Sequence, residues 1–228
     1  MGNGDIIGIL DLTLLDRGAS EEDLVRLCER AVAHRVAAVC VFSEHVRFVR
    51  GLLPEEVKVA SVVGGFPVGW RDPTKVSKAI SEAIDFGADE IDCVLEPTPN
   101  GGDASKEDLQ ILSAMRDACG EKTLKVIIET PLMDEHSIRA TSRLAMASGA
   151  DFVKTCTGKR GDCTDEDARI LSMEANRHLV TMGERKGVKI SGGIRKTEDA
   201  LRMLSIMQKE GISRSLIHIS EPTRHQVI

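Results

Sequence analysis

The 228-residue sequence contains no tyrosine and one tryptophan, and aromatic residues make up only 3% of it. Proteins that bind single-stranded nucleic acid stack bases on aromatic side chains, which are scarce here. The chain also lacks a long basic run: 36 Asp and Glu outnumber 30 Lys and Arg, giving a net charge of −6. Because nucleic-acid binding depends on clustered positive charge, the composition predicts that nucleic acid is not a partner.

Other signals are missing as well. No apolar run approaches the ~20 residues that a membrane-spanning helix requires, and the N-terminal segment lacks the basic leader and cleavage site of a signal peptide. We therefore expect a cytoplasmic protein with no membrane partner. The six cysteines form no CxxC pair, and the six histidines show neither HxH nor HExxH spacing. This pattern predicts reduced, mostly buried thiols, no metal site and no cofactor.

What the sequence does contain is a regular alternation of short apolar runs and amphipathic segments. The runs cover residues 6–10, 36–42, 57–63, 89–95, 124–129, 151–155 and 188–191. The segment that begins at Ser20 is typical of those between them, because it places Leu24, Leu27, Cys28 and Ala31 on one helical face. Buried runs alternating with helices predict parallel strands joined by helical crossovers.

Eight such units of about 30 residues would fill this length, so we predict an α/β fold, a (β/α)8 TIM barrel. The alternative is an open doubly wound sheet. No GxGxxG or GxxxxGK[ST] motif follows the first run, however, and such phosphate-binding motifs usually accompany that fold.

Charged residues that lie late in these apolar runs are informative, because the carboxyl ends of barrel strands carry the chemistry. Val188 and Ile190 alternate with Lys189, which predicts that Lys189 points into the barrel, and the same alternation directs Lys154 and Asp92 inward. A buried lysine beside a second cation has a lowered pKa, and its free amine can attack a carbonyl. Asp92 would then transfer protons. The alternative is an ion network that only packs the barrel centre.

These charges lie within longer segments that follow one another in a familiar order. The segments are DLTLL (11–15), AAVCVF (37–42), VVGGFPVG (62–69), GADEIDCV (87–94), LKVIIET (124–130), GADFVKTCTG (149–158) and VKISGGIRKTEDA (188–200). From about residue 5 to about residue 205 the chain resembles the deoxyribose-phosphate aldolase family, class I aldolases with a TIM-barrel fold. The resemblance implies reversible cleavage of 2-deoxy-D-ribose 5-phosphate to D-glyceraldehyde 3-phosphate and acetaldehyde through a lysine imine. The implied partners are a small-molecule phosphosugar and acetaldehyde, with a homodimer as a possible assembly.

The resemblance also implies roles for individual residues. Lys154 would form the Schiff base, Lys189 would keep it nucleophilic, and Asp92 would transfer protons. The substrate pocket would contain Asp11, Thr13, Cys40 and Thr157, and the phosphate would bind Lys159, Gly192, Gly193 and Arg195. Each assignment has a simpler alternative: Cys40 as core, Asp11 as a turn cap, and the two glycines as a tight loop.

The C-terminal segment departs from the family pattern. It contains no Gly-x-Ser-Ser phosphate loop and too few residues for an eighth helix. LIHI (216–219) could form a short strand, but Pro222 follows it within three residues. We therefore predict an aldolase domain over 1–212 and an atypical tail over 213–228, so that the eighth β/α unit is atypical or incomplete.

Such a tail would leave the first and seventh strands unpaired, with low solubility and weak phosphate binding. Two alternatives stay open. One is a divergent terminus that closes the barrel in its own way, and the other is a catalytically silent barrel that acts as a binding protein.

Overall fold

The computed structural model describes residues 7–98 and 105–220. Eight parallel strands close into a barrel in sequence order. They are β1 (Leu10–Leu14), β2 (Ala38–Phe42), β3 (Lys58–Val63), β4 (Glu90–Val94), β5 (Thr123–Ile127), β6 (Phe152–Lys154), β7 (Gly187–Ile190) and β8 (Ser215–Ser220). The (β/α)8 prediction is confirmed, and the open sheet is excluded.

Helices cover the outside of the barrel. Within the described ranges they are α1 (Glu21–His34), α2 (Ser43–Leu52), α3 (Pro73–Asp85), α4 (Lys106–Cys119), α5 (Glu135–Ala147), α6 (Asp165–Met182) and α7 (Thr197–Lys209). α1 begins as its sequence predicts: the Ser20 hydroxyl caps the backbone of Asp23, and the four predicted apolar residues are buried. None of the described helices is long and apolar enough to cross a bilayer.

The first strand does not lie where the apolar run predicts it. The run at 6–10 ends where β1 begins, at Leu10, and residue 6 lies outside the described residues. In β1 the apolar Leu12 packs under the helices, whereas Asp11 and Thr13 alternate with it and are buried inside the barrel. Because polar and apolar residues alternate along β1, it does not appear as a continuous apolar run. The first strand was therefore predicted too early in the sequence.

The eighth strand corrects the prediction of an open barrel. β8 pairs with β7 on one side and with β1 on the other, with Leu216 opposite Lys189 and His218 opposite Asp11. Ile217 packs among the apolar residues outside the barrel, and His218 is buried. The first and seventh strands therefore have no unpaired edges, and low solubility is no longer expected on that ground. The division at residue 213 stays a prediction, and residues 221–228, including Pro222, lie outside the described residues.

The barrel interior has an apolar side. Its buried members are Ala38, Cys40, Phe42, Ala60, Val62, Phe66, Val94 and Ile127. The rings of Phe42 and Phe66 meet edge to face with centroids 5.9 Å apart. Charged side chains from β1 and β4–β7 are also buried inside the barrel.

Two arginine–aspartate ion pairs, called clamps here, join the amino ends of β3 to β4 and of β5 to β6. Arg50 donates to Asp89 over 2.9 Å, and the same carboxylate oxygen accepts the backbone N–H of Val59. Arg116 repeats this arrangement with Asp151 over 3.0 Å. Both aspartates belong to a Gly-Ala-Asp sequence that precedes an even-numbered strand, so each clamp ties one helix end to two strands.

Candidate active site

Five charged side chains from five strands meet inside the barrel. They are Asp11 on β1, Asp92 on β4, Lys125 on β5, Lys154 on β6 and Lys189 on β7, and all are completely buried. Buried charges are stable only when they are paired. The cluster therefore has to be understood through its contacts.

Asp92 is the centre of the cluster. Its Oδ2 accepts hydrogen bonds from Lys154 Nζ over 2.8 Å and from Lys189 Nζ over 2.7 Å. Lys189 also donates to Asp11. Lys125 Nζ lies 3.2 Å from Asp11 Oδ2 and 3.3 Å from Asp92 Oδ1. Cations and carboxylates thus alternate, and every member touches an opposite charge.

The two lysines predicted to be catalytic differ in their electrostatic surroundings. Burial lowers the pKa of Lys154, and the neighbouring Lys189 lowers it further, so the attraction of Asp92 is outweighed. For Lys189 the penalty of burial is overcome by Asp11 and Asp92 together, which raise its pKa. Lys154 is therefore the lysine that more readily presents a free amine, and Lys189 stays a cation.

The carboxylates are held in their charged form. Burial alone would raise the pKa of Asp92, but Lys125, Lys154 and Lys189 lower it well below its usual value. Asp11 is likewise lowered by Lys125 and Lys189 against the effect of burial. Both groups are therefore ionised at neutral pH and accept hydrogen bonds from the lysines around them.

The residues predicted for the substrate pocket are buried as well. Cys40 is close enough to Asp92 and the lysines to feel their charges, and burial raises the pKa of its thiol to about 11. Thr13 Oγ1 lies 3.1 Å from His218 Nδ1 on β8. Thr157, three residues beyond Lys154, hydrogen-bonds Glu129. Asp11 and Cys40 thus lie at the cluster, whereas Thr13 and Thr157 contact His218 and Glu129. Contact of these residues with substrate stays a prediction.

The residues predicted to bind phosphate lie on the loops that follow β6 and β7. These loops touch: a Cβ added to Gly158 would lie 3.4 Å from the Gly192 Cα. Gly192 has φ +90° and faces the Cys156 sulfur at a distance that leaves no room for a side chain. Arg195 Nη2 lies 3.7 Å from Asp162, and both side chains are mostly exposed. Phosphate binding here stays a prediction.

The family model described as DeoC/LacD family aldolase matches residues 7–213. The chain belongs to this aldolase family. A deoxyribose-phosphate aldolase from Thermococcus gammatolerans is 36% identical over 229 residues, covering 97% of each chain. Another from Halalkalibacterium halodurans is 35% identical over 207 residues, covering 87% of each.

Solved structures agree with the family assignment. The deoxyribose phosphate aldolase from Aeropyrum pernix, described as a unique tetrameric structure, superposes with a TM-score of 0.79 at 27% identity. The alignment covers 94% of this chain and 86% of that one. A protein titled "QR15, an Aldolase" gives a TM-score of 0.79 at 28% identity, covering 94% of this chain and 91% of its own.

Within this aldolase barrel, Lys125 is the charged residue that the sequence analysis missed. It contacts Glu90 as well as Asp11 and Asp92, and these carboxylates outweigh burial and raise its pKa well above the usual value. The signal was present in the sequence, because Leu124 and Val126 alternate around it as apolar residues do around Lys154 and Lys189. Glu90 gave no such signal, since it stands at the start of its strand.

No group of three or more histidine, cysteine, aspartate or glutamate residues arranged to hold a metal ion occurs within residues 7–98 and 105–220. The acidic members of the cluster are each matched by lysines instead.

Proposed function

We propose that the protein is a deoxyribose-phosphate aldolase, which cleaves 2-deoxy-D-ribose 5-phosphate reversibly to D-glyceraldehyde 3-phosphate and acetaldehyde. The observation that carries the proposal is a buried lysine of lowered pKa, Lys154, hydrogen-bonded to a carboxylate inside an aldolase-family barrel. The curated relatives that share about a third of its sequence over most of its length bear that name. None of these observations favours a silent binding protein.

The reaction would begin when the free amine of Lys154 attacks the aldehyde carbon of the open-chain sugar. Asp92, 2.8 Å from that nitrogen, is placed to move the protons needed to expel water from the carbinolamine. The resulting iminium draws in the electrons of the C2–C3 bond as it breaks. The C3 hydroxyl loses its proton, glyceraldehyde 3-phosphate departs, and an enamine remains on the lysine. Protonation of the enamine and hydrolysis then release acetaldehyde.

A direct test uses the unmodified protein. Incubation with acetaldehyde and borohydride should leave an ethyl group on Lys154, found by mass spectrometry of the digest. In the same preparation, 2-deoxy-D-ribose 5-phosphate should yield acetaldehyde. An adduct on another lysine, or the absence of any adduct and of cleavage, would contradict the proposal.

Lys189→Leu should shift the pH dependence of imine formation. Removing this cation takes away one influence that lowers the pKa of Lys154 and leaves Asp92 more fully available to raise it. The acid limb of the trapping rate should therefore move to higher pH, with about tenfold less free amine at a fixed pH below it. The measurement is the rate of adduct formation between pH 5 and pH 9. Lys58→Leu, at the amino end of β3, is the control, and an acid limb that stays in place would contradict the role of Lys189.

The phosphate is expected to contribute little to specificity. Lys159 and Arg195 are exposed, and Arg195 already lies beside Asp162. An exposed ion pair contributes at most about 1 kcal/mol, so two would give a preference of no more than about thirtyfold. The comparison is kcat/KM for deoxyribose 5-phosphate against deoxyribose. A preference of several thousandfold would mean that other groups complete a phosphate site.

Assembly and location complete the proposal. The relative from Aeropyrum pernix is tetrameric by its description. For this chain a homodimer and a cytoplasmic location stay predictions, and sedimentation of the purified protein would test the first of them.

A further inference from the structure

Glu129 is a buried carboxyl that the proposed mechanism does not use. It follows β5 by two residues, is completely buried, and has φ 56° and ψ 56°. This left-handed backbone conformation is uncommon for a residue with a side chain and persists where surrounding contacts impose it. The contacts of its side chain are with the loop after β6, the strand that ends at Lys154.

The carboxylate of Glu129 binds the loop after β6 at one residue, Thr157. It accepts the backbone N–H of Thr157 and, over 3.1 Å, the hydroxyl of the same residue. The hydroxyl oxygen in turn accepts the backbone N–H of Lys159 over 3.2 Å. A single carboxylate thus fixes both the main chain and the side chain of Thr157, and through it the start of the segment that carries Lys159.

Arg160 extends this contact to neighbouring loops. Its two terminal nitrogens bind both carboxylate oxygens of Glu96, after β4, over 2.7 and 2.9 Å. Its Nε lies 3.7 Å from Glu129. Glu96 also accepts the backbone N–H of Gly69, after β3, over 2.9 Å. The loops after four consecutive strands are therefore joined through Glu96, Arg160 and Glu129.

The Lys154 side chain is held by contacts other than those of the Glu129 carboxylate. Its nitrogen is held inside the barrel by Asp92, and its position is fixed by the register of β6 with β5 and β7. Loss of the Glu129 contacts would displace the loop but leave the lysine in place. Binding of the half of the sugar remote from the imine can thus be separated from formation of the imine itself.

We propose that Glu129 is a positioning residue that holds Thr157 and the adjoining loop where they bind the glyceraldehyde 3-phosphate half of the substrate. The inference rests on the proposed function, because it assigns the loop to the second substrate of the reverse, carbon–carbon bond-forming reaction. Glu129 itself touches neither substrate; it acts through Thr157.

The test is aldol synthesis by Glu129→Ala, with each substrate varied in turn. We expect the KM for glyceraldehyde 3-phosphate to rise by about tenfold or more, as loss of a hydrogen bond to a charged group implies. The KM for acetaldehyde and the rate of borohydride trapping on Lys154 should stay at the wild-type values. An equal loss for both substrates, or no change for either, would overturn the proposal.

Two further variants separate positioning from general damage. Glu129→Gln keeps an oxygen that accepts the Thr157 N–H and adds an amide that can donate to the Thr157 hydroxyl. It should therefore keep the KM for glyceraldehyde 3-phosphate close to the wild-type value. Glu174→Ala removes another buried glutamate, one bound by Arg139 and Arg143 between α5 and α6. It should lower stability without raising the KM for glyceraldehyde 3-phosphate relative to the KM for acetaldehyde.

If Glu129→Ala does not fold, Glu129→Asp decides the question, because it keeps the charge but shortens the side chain that holds Thr157. It should show the same selective rise in the KM for glyceraldehyde 3-phosphate, and its absence would overturn the proposal. Failure of the wild-type protein to form an imine would instead refute the proposed function, and the positioning role with it. The two failures are therefore distinguishable.

Discussion

Lys154→Ala is expected to abolish the trapping of acetaldehyde by borohydride and to reduce aldol cleavage by about four orders of magnitude or more, as loss of a covalent nucleophile does in other enzymes. No neighbouring amine can replace it. Asp11 and Asp92 raise the pKa of Lys189, and the carboxylates around Lys125 raise its pKa further. Both remain protonated and unreactive toward a carbonyl at neutral pH.

The measurements are the mass of the borohydride-treated variant and its release of acetaldehyde from deoxyribose 5-phosphate. Lys154→Met is the companion variant, because its side chain fills a similar volume and separates loss of the amine from creation of a cavity. Both variants should be equally inactive. A stoichiometric adduct on Lys189 in either variant would reverse the roles assigned to the two lysines.

Lys125→Met is expected to destabilise the protein by about 3–5 kcal/mol at neutral pH, the usual consequence of removing one partner from a buried ion pair. Lys125 is the shared cation of Asp11, Asp92 and Glu90, and methionine preserves its length without its charge. The remaining lysines cannot neutralise all three carboxylates. Urea unfolding at pH 7 measures the effect, and Lys58→Met, at the exposed amino end of β3, is the control.

The pH dependence of this loss has a definite sign. Lys125 lowers the pKa values of Asp11 and Asp92, and a lowered carboxyl pKa stabilises the folded state above the unfolded value of about 3.9. That contribution disappears as the pH falls through the folded-state pKa. The difference in unfolding free energy between wild type and Lys125→Met should therefore be largest near pH 7 and shrink on acidification. A difference that grows toward low pH would contradict this account of the cluster.

The buried positions of Lys154 and Lys189 were predictable because the alternation of side chains along a strand is a local property. A charged residue that alternates with apolar ones late in a strand points away from the helices, and this pattern predicted that Lys154, Lys189 and Asp92 are buried inside the barrel, as the structure shows. Lys125 lies between Leu124 and Val126 in the same way and is equally buried.

Two features were beyond the reach of local patterns. β8 forms because two existing strands offer it hydrogen-bonding edges, and this tertiary effect outweighed the signal of the following proline. Glu129 and Thr157 are 28 residues apart in sequence. Their contact depends on the pairing of β5 with β6 and on the left-handed backbone conformation of Glu129. No local sequence pattern predicts that conformation for a glutamate. Closure of the barrel by β8 and the contact between Glu129 and Thr157 are therefore visible only in the structure.

The arginine–aspartate clamps lie at the opposite ends of the strands from Lys154, Lys189 and their loops. Arg50 with Asp89 and Arg116 with Asp151 hold the amino ends together, whereas the chemistry of a TIM barrel is located at the carboxyl ends. Substitutions in the loops after β3, β4 or β6 can accumulate without loosening the clamps. Because the clamps and the site lie at opposite ends of the strands, substitutions that change the acceptor aldehyde can be selected while the barrel stays folded.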